Sequence, residues 1–331
     1  MSISLASIPA FVAACAHTRS IDVTAYTLRP GLVEDALIAA ARGGARVCVR
    51  LERDPLDDSA GSLHAANAAT IAALRAAGAD AATTAPGEPV LHLKAALVDG
   101  VAWLDDRNWA GDAHETLVRD SDPDDVAAVA AGIRGERGAD PHLRTDKGGA
   151  VALEARVIAG AGTEPLAVES ESFGSGAIYD ALLHRAQAGL PTRLLVAGRE
   201  ASGPGASGET ERRRLARLAA LGVQVRTGDA KGLDFDEKFA VGAHAAWVGS
   251  ANATYAYGVA GKQRDWGMTT RQPVLIDDLR AAFEGNWRAA IPLAGATIAQ
   301  DRCVAPSASI SATPRPAPNC EPRSTSAWTS R

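Results

Sequence analysis

His92 and Lys94 stand two residues apart in an apolar run that ends at the dipeptide Asp99-Gly100. If that run is a strand, both side chains project from one face of a sheet. An imidazole and an ammonium on one face suit a phosphodiester. One can attack phosphorus while the other holds a non-bridging oxygen. Asp99-Gly100 is a tight-turn signal, so the next strand, Val101 to Leu104, returns beside the first and brings Asn108 back towards His92. A second set follows in the other half of the chain: Asp236-Glu237-Lys238, then Gly249-Ser250-Ala251-Asn252. Two lysines and two asparagines around one phosphate would neutralise its charge without a metal. No Cys-x-x-Cys or Cys/His ligand spacing occurs, and no metal or other cofactor is expected.

The elements that must position these residues occur twice. Leu74 and Gly78 recur as Leu218 and Gly222, Lys94 as Lys238, and Asn108 as Asn252, each 144 positions later. A fixed offset held over several elements marks a duplicated domain. In each copy a helix (8–16; 152–160) leads to a strand (21–26; 166–170), a second helix (32–42; 177–188) and a second strand (46–51; 193–197). A third helix stops at Gly78 or Gly222. A short strand and the motif hairpin follow (91–98 with 101–104; 238–241 with 245–248), and a last helix (123–133; 276–287) closes the copy. Alternating helices and strands predict an α/β sandwich around a mixed sheet in each half. The expected organisation is a first half over 1–135, a linker over 136–149 rich in Gly, Pro and charge, a second half over 150–290, and a disordered Ser/Pro/Ala/Thr-rich tail over 303–331.

On these residues the chain resembles the phospholipase D superfamily. His92-Leu93-Lys94 with Asp99 is similar to that family's HxK(x4)D motif, and Gly249-Ser250-Ala251-Asn252 to its Gly-Ser-x-Asn element. The resemblance runs from about Ile8 to Trp287. It implies two tandem halves related by a pseudo-two-fold axis, with both motifs meeting in one site, so that a monomer suffices. It also implies phosphodiester hydrolysis or phosphatidyl transfer in which His92 is the nucleophile and becomes a phosphohistidine. In the second half, Asp236 stands where the family has its other histidine, and Ala243 where the motif Asp is usual. In the first half, Asp105-Asp106 replaces Gly-Ser. Each copy keeps what the other lost, which favours one composite site.

The residues assigned to chemistry are His92, Lys94, Asp236 and Lys238. Those assigned to holding or supporting the phosphate are Asn108, Ser250, Asn252, Asp99, Glu115, Asp265 and Glu171. Glu115 and Asp265 follow the two asparagines, where the family carries an acid that orients the histidine ring. An unperturbed aspartate titrates near 4 and neighbouring lysines lower it. Asp236 is therefore a poor general acid but a usable general base. Glu171, in the place of Tyr26 at the end of the equivalent strand, is the carboxylate that could change this by coupling.

The net charge of −5 and 5% aromatics argue against coating of nucleic acid. The expected partner is a phosphodiester, phospholipid-like rather than nucleic acid. The alternatives are a nuclease of the same superfamily, or an impaired member that binds a phosphate or phospholipid without turning it over. Phe11 to Cys15 resembles a lipoprotein cleavage box. No Lys or Arg precedes Arg19, however, and the stretch has a counterpart in mid-chain, so it reads as a helix of the fold. No apolar run reaches membrane-spanning length. A cytoplasmic location is expected over a lipoprotein or secreted one.

Overall fold

The computed structural model describes residues 3–56, 58, 60–111, 115–138, 140–197, 206–228, 235–254 and 263–293. The tail expected to be disordered lies outside them.

The first half starts with β1 (Ile3–Ala6), α1 (Ile8–Cys15), β2 (Ser20–Ala25), α2 (Leu32–Arg42), β3 (Arg46–Leu51), α3 (Ser62–Ala76) and β4 (Asp80–Thr83). It continues through β5 (Val90–Leu91), β6 (Ala95–Val98), β7 (Val101–Asp105), β8 (Leu117–Asp120) and α4 (Pro123–Ile133). Then come β9 (Leu143–Arg144), α5 (Lys147–Gly160), β10 (Leu166–Ser170), α6 (Ala177–Gln187), β11 (Thr192–Val196), α7 (Ala206–Ala220) and β12 (Gln224–Thr227). The chain closes with β13 (Phe239–Val241), β14 (Ala246–Gly249), β15 (Gln263–Arg264), β16 (Gly267–Thr270), α8 (Pro273–Ala289) and β17 (Ile291–Pro292).

Two mixed sheets result. The first has the order β1-β8-β7-β6-β2-β3-β4, with β2, β3 and β4 parallel and the other pairs antiparallel. The second runs β17-β12-β11-β10-β13-β14-β16-β9, with β10, β11 and β12 parallel. Read from β9 to β12, it repeats the order of the first sheet strand for strand. The α/β architecture with a mixed sheet in each half is therefore the observed one.

Local chemistry explains the boundaries. After α3, Gly78 takes φ +95°, and after α7, Gly222 takes φ +97°. In both places the next amide donates back into the helix, Ala79 N to Leu74 O and Val223 N to Leu218 O, each 3.0–3.1 Å. That is the left-handed helix stop a glycine allows at no steric cost. The Leu/Gly pairs of the repeat are these stops. Asp99 (φ 46°) and Gly100 (φ 81°) form the expected tight turn between β6 and β7.

Each sheet buries one face under its own helices. Phe11, Leu37 and Leu74 pack on the first sheet, and Leu153, Leu182 and Leu218 on the second. A third cluster joins residues of both sheets, with Leu104 and Val118 from the first and Phe239 and Met268 from the second, closed by α4 and α8. β10 is consequently buried along its whole length, Glu169 included.

The segment expected as a linker is built into the fold. Leu143–Arg144 pairs with β16, and α5 begins at Lys147, five residues before the expected helix start. Gly138 lies so close to α4 that a Cβ there would sit 1.8 Å from the Ala128 carbonyl oxygen. The motif strand also differs from expectation. It is broken at residues 92–94: β5 leaves the sheet and pairs with β15 of the second half, Leu91 opposite Arg264, while β6 stays in the first sheet.

Candidate active site

The break in the strand places His92 and Lys94. His92 N donates to Arg264 O at 2.9 Å, which extends the β5–β15 ladder by one rung and sets Asp265 against the imidazole. Asp265 Oδ1 lies 2.6 Å from His92 Nδ1 and accepts from Ser250 Oγ at 3.0 Å. On the other side of the ring, Lys94 Nζ lies 2.7 Å from His92 Nε2. Asp265 is an acceptor and the ammonium a donor, so the neutral ring carries its proton on Nδ1 and presents a lone pair on Nε2. His92 and Lys94 share a face as expected, though through contact in a loop rather than by strand pleat.

Burial, and then the Lys94 charge, push the His92 pKa down to about 4 against the pull of Asp265. Burial likewise brings the Lys94 ammonium down to about 7. Burial favours the neutral acid of Asp265, but His92, Lys147 and Lys94 outweigh it and hold its pKa below the ordinary value. The Tyr26 ring meets His92 edge-on at 5.1 Å, and Lys94 Nζ sits 5.8 Å from the Tyr26 centroid.

From the second half, Lys238 pairs with Glu171 at 3.3 Å and donates to the carbonyl oxygens of Asp106 (3.3 Å) and Asp236. Burial pushes its pKa down, but Glu171, Asp106 and Asp236 together raise it above the ordinary value. Glu171 also accepts from Asn252 Nδ2 at 3.1 Å. The Asp236 carboxylate pairs with Arg107 at 2.9 Å. Asn108 accepts from Thr27 N at 3.3 Å. It is aimed by Trp109, whose φ of +58° is unusual for a bulky residue and whose amide donates to Asp105 Oδ2 at 2.8 Å.

His92, Lys94, Asn108, Glu171, Asp236, Lys238 and Asn252 all line one cavity of about 820 Å³. Ser250 stands behind it, supporting Asp265. Asp99 is not brought there. It sits exposed at the hairpin turn and accepts the amides of Arg19 and Ser20, tying the turn to the start of β2. Its tie is to the backbone at the far end of β6 from Lys94.

Glu115 and Asp265 occupy corresponding places. Thr116 and Asp106 bond reciprocally (Asp106 N to Thr116 O, Thr116 N to Asp106 Oδ1), as do Trp266 and Ser250. Asp265 reaches a histidine across the halves. The Glu115 carboxylate instead receives the amides of Ala110 and Gly111, at 2.8 and 2.6 Å, so it holds a loop and orients no ring among the described residues. Asp105 and Asp106, in the Gly-Ser place, are fully buried. Burial first, with Glu115 and Asp106 around Asp105 and Glu237 near Asp106, pushes both carboxyls well above the usual range, while Lys238 pulls Asp106 the other way.

Sequence reading assigned no role to Tyr26, Arg107 or Lys147, which line the same cavity. Arg107 could have been found, since it lies inside the Asp105-Asp106-Arg107-Asn108 element. Tyr26 and Lys147 are apparent only once β2 and α5 are placed.

No family model and no curated protein matches the sequence. Among solved structures, the chain is similar to the phosphatidylserine synthase of Haemophilus influenzae Rd KW20, with a TM-score of 0.63 and 10% identity over 88% of this chain and 87% of that one. It is also similar to the polyphosphate kinase of Porphyromonas gingivalis, with a TM-score of 0.59 and 16% identity over 87% of this chain. It spans 47% of that kinase's length. The α/β architecture with a mixed sheet in each half, as the resemblance implied, is thus a phospholipase D-like fold.

Proposed function

We propose that the protein performs phosphodiester chemistry through His92, as hydrolysis or as transfer of the phosphoryl group to an alcohol. The observation that carries this reading is the Asp265–His92–Lys94 relay, which leaves Nε2 unprotonated beside an ammonium in a cavity shared by both halves. When a substrate enters, a non-bridging oxygen replaces Nε2 as the acceptor of the Lys94 proton, and Lys238 faces the same group from the second half. Nε2 then attacks phosphorus. The N–P bond forms, the bond from phosphorus to the leaving oxygen breaks, and the positive charge that develops on the ring is stabilised by Asp265. In the second step water or an alcohol attacks phosphorus, Asp236 accepts its proton, the N–P bond breaks and neutral His92 returns.

The Asp236–Arg107 ion pair makes the first step selective. With a carboxylate in that place, leaving groups that depart as stable anions are favoured over alkoxides. The similarity in fold to a phosphatidylserine synthase is consistent with a phospholipid-like substrate for this chain, and its net charge of −5 disfavours nucleic acid. A second reading rests on the same ion pair: a member that binds a phosphorylated ligand without turnover. The test is release of nitrophenolate from bis(4-nitrophenyl) phosphate by wild type and by His92→Ala. Turnover in wild type that disappears in the variant supports catalysis. Equal inactivity of wild type and Asp236→His on several phosphodiesters, with phosphate still bound, would leave the binding reading.

A further inference from the structure

The two walls of the cavity come from corresponding elements but differ in chemistry. β1 leads through the N-cap Ser7 into α1, and β9 leads through the N-cap Asp146 into α5. Each cap accepts the amide three residues on, Ala10 or Gly149. β1 and β9 pair antiparallel with β8 and β16, the corresponding strands of the two sheets. Ile8 and Lys147, the first residues of the two helices, are therefore counterparts, and both line the cavity. Tyr26 and Glu171 are counterparts in the same sense, as are Ala110 and Thr254. The first-half wall continues through Leu32, Val33, Leu56 and Leu63, whereas the second-half wall continues through Ser172, Thr254 and Gln263. The first half also brings Thr27, Arg29, Asp106 and Arg107, so it carries an apolar patch within a mixed wall, whereas the lining from the second half is polar throughout.

Lys147 is the odd member of the polar side. It is 2% exposed, and its Nζ donates to Thr254 Oγ1 at 3.1 Å. An ammonium has three donors. Among the described residues no carboxylate lies within 4.0 Å of this one, whereas Lys238 has Glu171 at 3.3 Å. A charged lysine is seldom buried unless it is paired. Lys94, Lys147, Lys238, Arg29 and Arg107 line the cavity with the carboxyls of Asp106, Glu171 and Asp236, and Asp265 lies behind the His92 ring.

We propose that Lys147 and Thr254 form a subsite for a second anionic group, a carboxylate or phosphate carried on the polar arm of the substrate, while the apolar arm lies against the Ile8 and Leu32 wall. This rests on the phosphate-binding reading above and extends it to the shape of the substrate. The anionic group takes the two remaining Lys147 donors and the Thr254 hydroxyl.

The experiment is calorimetric titration of the full chain carrying His92→Ala, which excludes turnover, with ethyl phosphate, 2-carboxyethyl phosphate and ethane-1,2-diyl bisphosphate. At least one of the two ligands with an anionic arm binds about tenfold tighter than ethyl phosphate, the scale of one charge-assisted hydrogen bond. The better of the two identifies the group. Adding Lys147→Met brings the ratio to near one, while Lys147→Arg retains it. Equal binding of all three ligands overturns the inference and leaves the phosphate site standing, as does a ratio that Lys147→Met does not change. If none of the three binds, the phosphate reading and this inference fall together. The ratio in the His92→Ala protein decides the matter even if Lys147→Met does not fold.

Discussion

Asp265→Asn tests how the two halves cooperate, because the carboxylate and the ring it serves come from different halves. Both Ser250 Oγ and His92 Nδ1 donate to Asp265 Oδ1, and Oδ2 is buried with no hydrogen-bond partner among the described residues. An asparagine has two ways to fit. It can keep its oxygen where Oδ1 is and bury an NH2 group without an acceptor, at about 1–3 kcal/mol. Or it can turn the NH2 towards His92, which forces the proton onto Nε2 and removes the attacking lone pair. In either arrangement the negative charge that stabilises the developing imidazolium is gone. The comparable change in a Ser-His-Asp triad costs on the order of 10⁴ in kcat, so we expect a loss of about a thousandfold or more, or about 4 kcal/mol of barrier. The assay is steady-state release of nitrophenolate from bis(4-nitrophenyl) phosphate, with KM and thermal midpoint measured alongside. Asp265 raises the His92 pKa, so an NMR titration should place His92 lower in the variant than in the wild-type protein. A loss of less than tenfold with the fold intact would refute the orienting role.

Three further outcomes follow from the same geometry. The pH profile of kcat/KM should rise as His92 loses its proton through about 4 and fall as Lys94 loses its own through about 7, since attack needs a neutral ring and a charged lysine; a profile flat from 4 to 9 would contradict it. Asp236→Asn removes the base of the second step and should give a burst of one nitrophenolate per chain followed by slow turnover, read by stopped-flow absorbance. Gly138→Ala drives a methyl group into the Ala128 carbonyl and should cost about 2 kcal/mol or more in chemical denaturation; an unchanged midpoint would mean that segment 136–149 is not packed as described.

Much of this was legible in the sequence because it is local. Helix α2 and strand β3 fall on their expected residues, since apolar periodicity and Gly43-Gly44 between them fix them within a few positions. The helix stops at Gly78 and Gly222 and the turn at Asp99-Gly100 depend on backbone conformations that few residue types adopt. The break at 92–94 was hidden because β15, which captures β5, lies more than 170 residues away in the chain. Glu115 was misread for a similar reason. Its place beside Thr116 matches that of Asp265 beside Trp266, but two loop amides nearby take its carboxylate. The Gly- and charge-rich composition of 136–149 suggested a linker, although Gly132 and Gly138 are small because α4 and Thr145 pass close to them. Lys147 was lost with that segment.

In the proposed reaction one histidine, served by both halves, carries the covalent step. Quenching the reaction with bis(4-nitrophenyl) phosphate within the first turnover and mapping the peptides by mass spectrometry tests it directly. One phosphorylated residue is expected, His92, with an acid-labile adduct that accumulates in Asp236→Asn and is absent from His92→Ala. An adduct on any other residue, or turnover by His92→Ala at the wild-type rate, would contradict it.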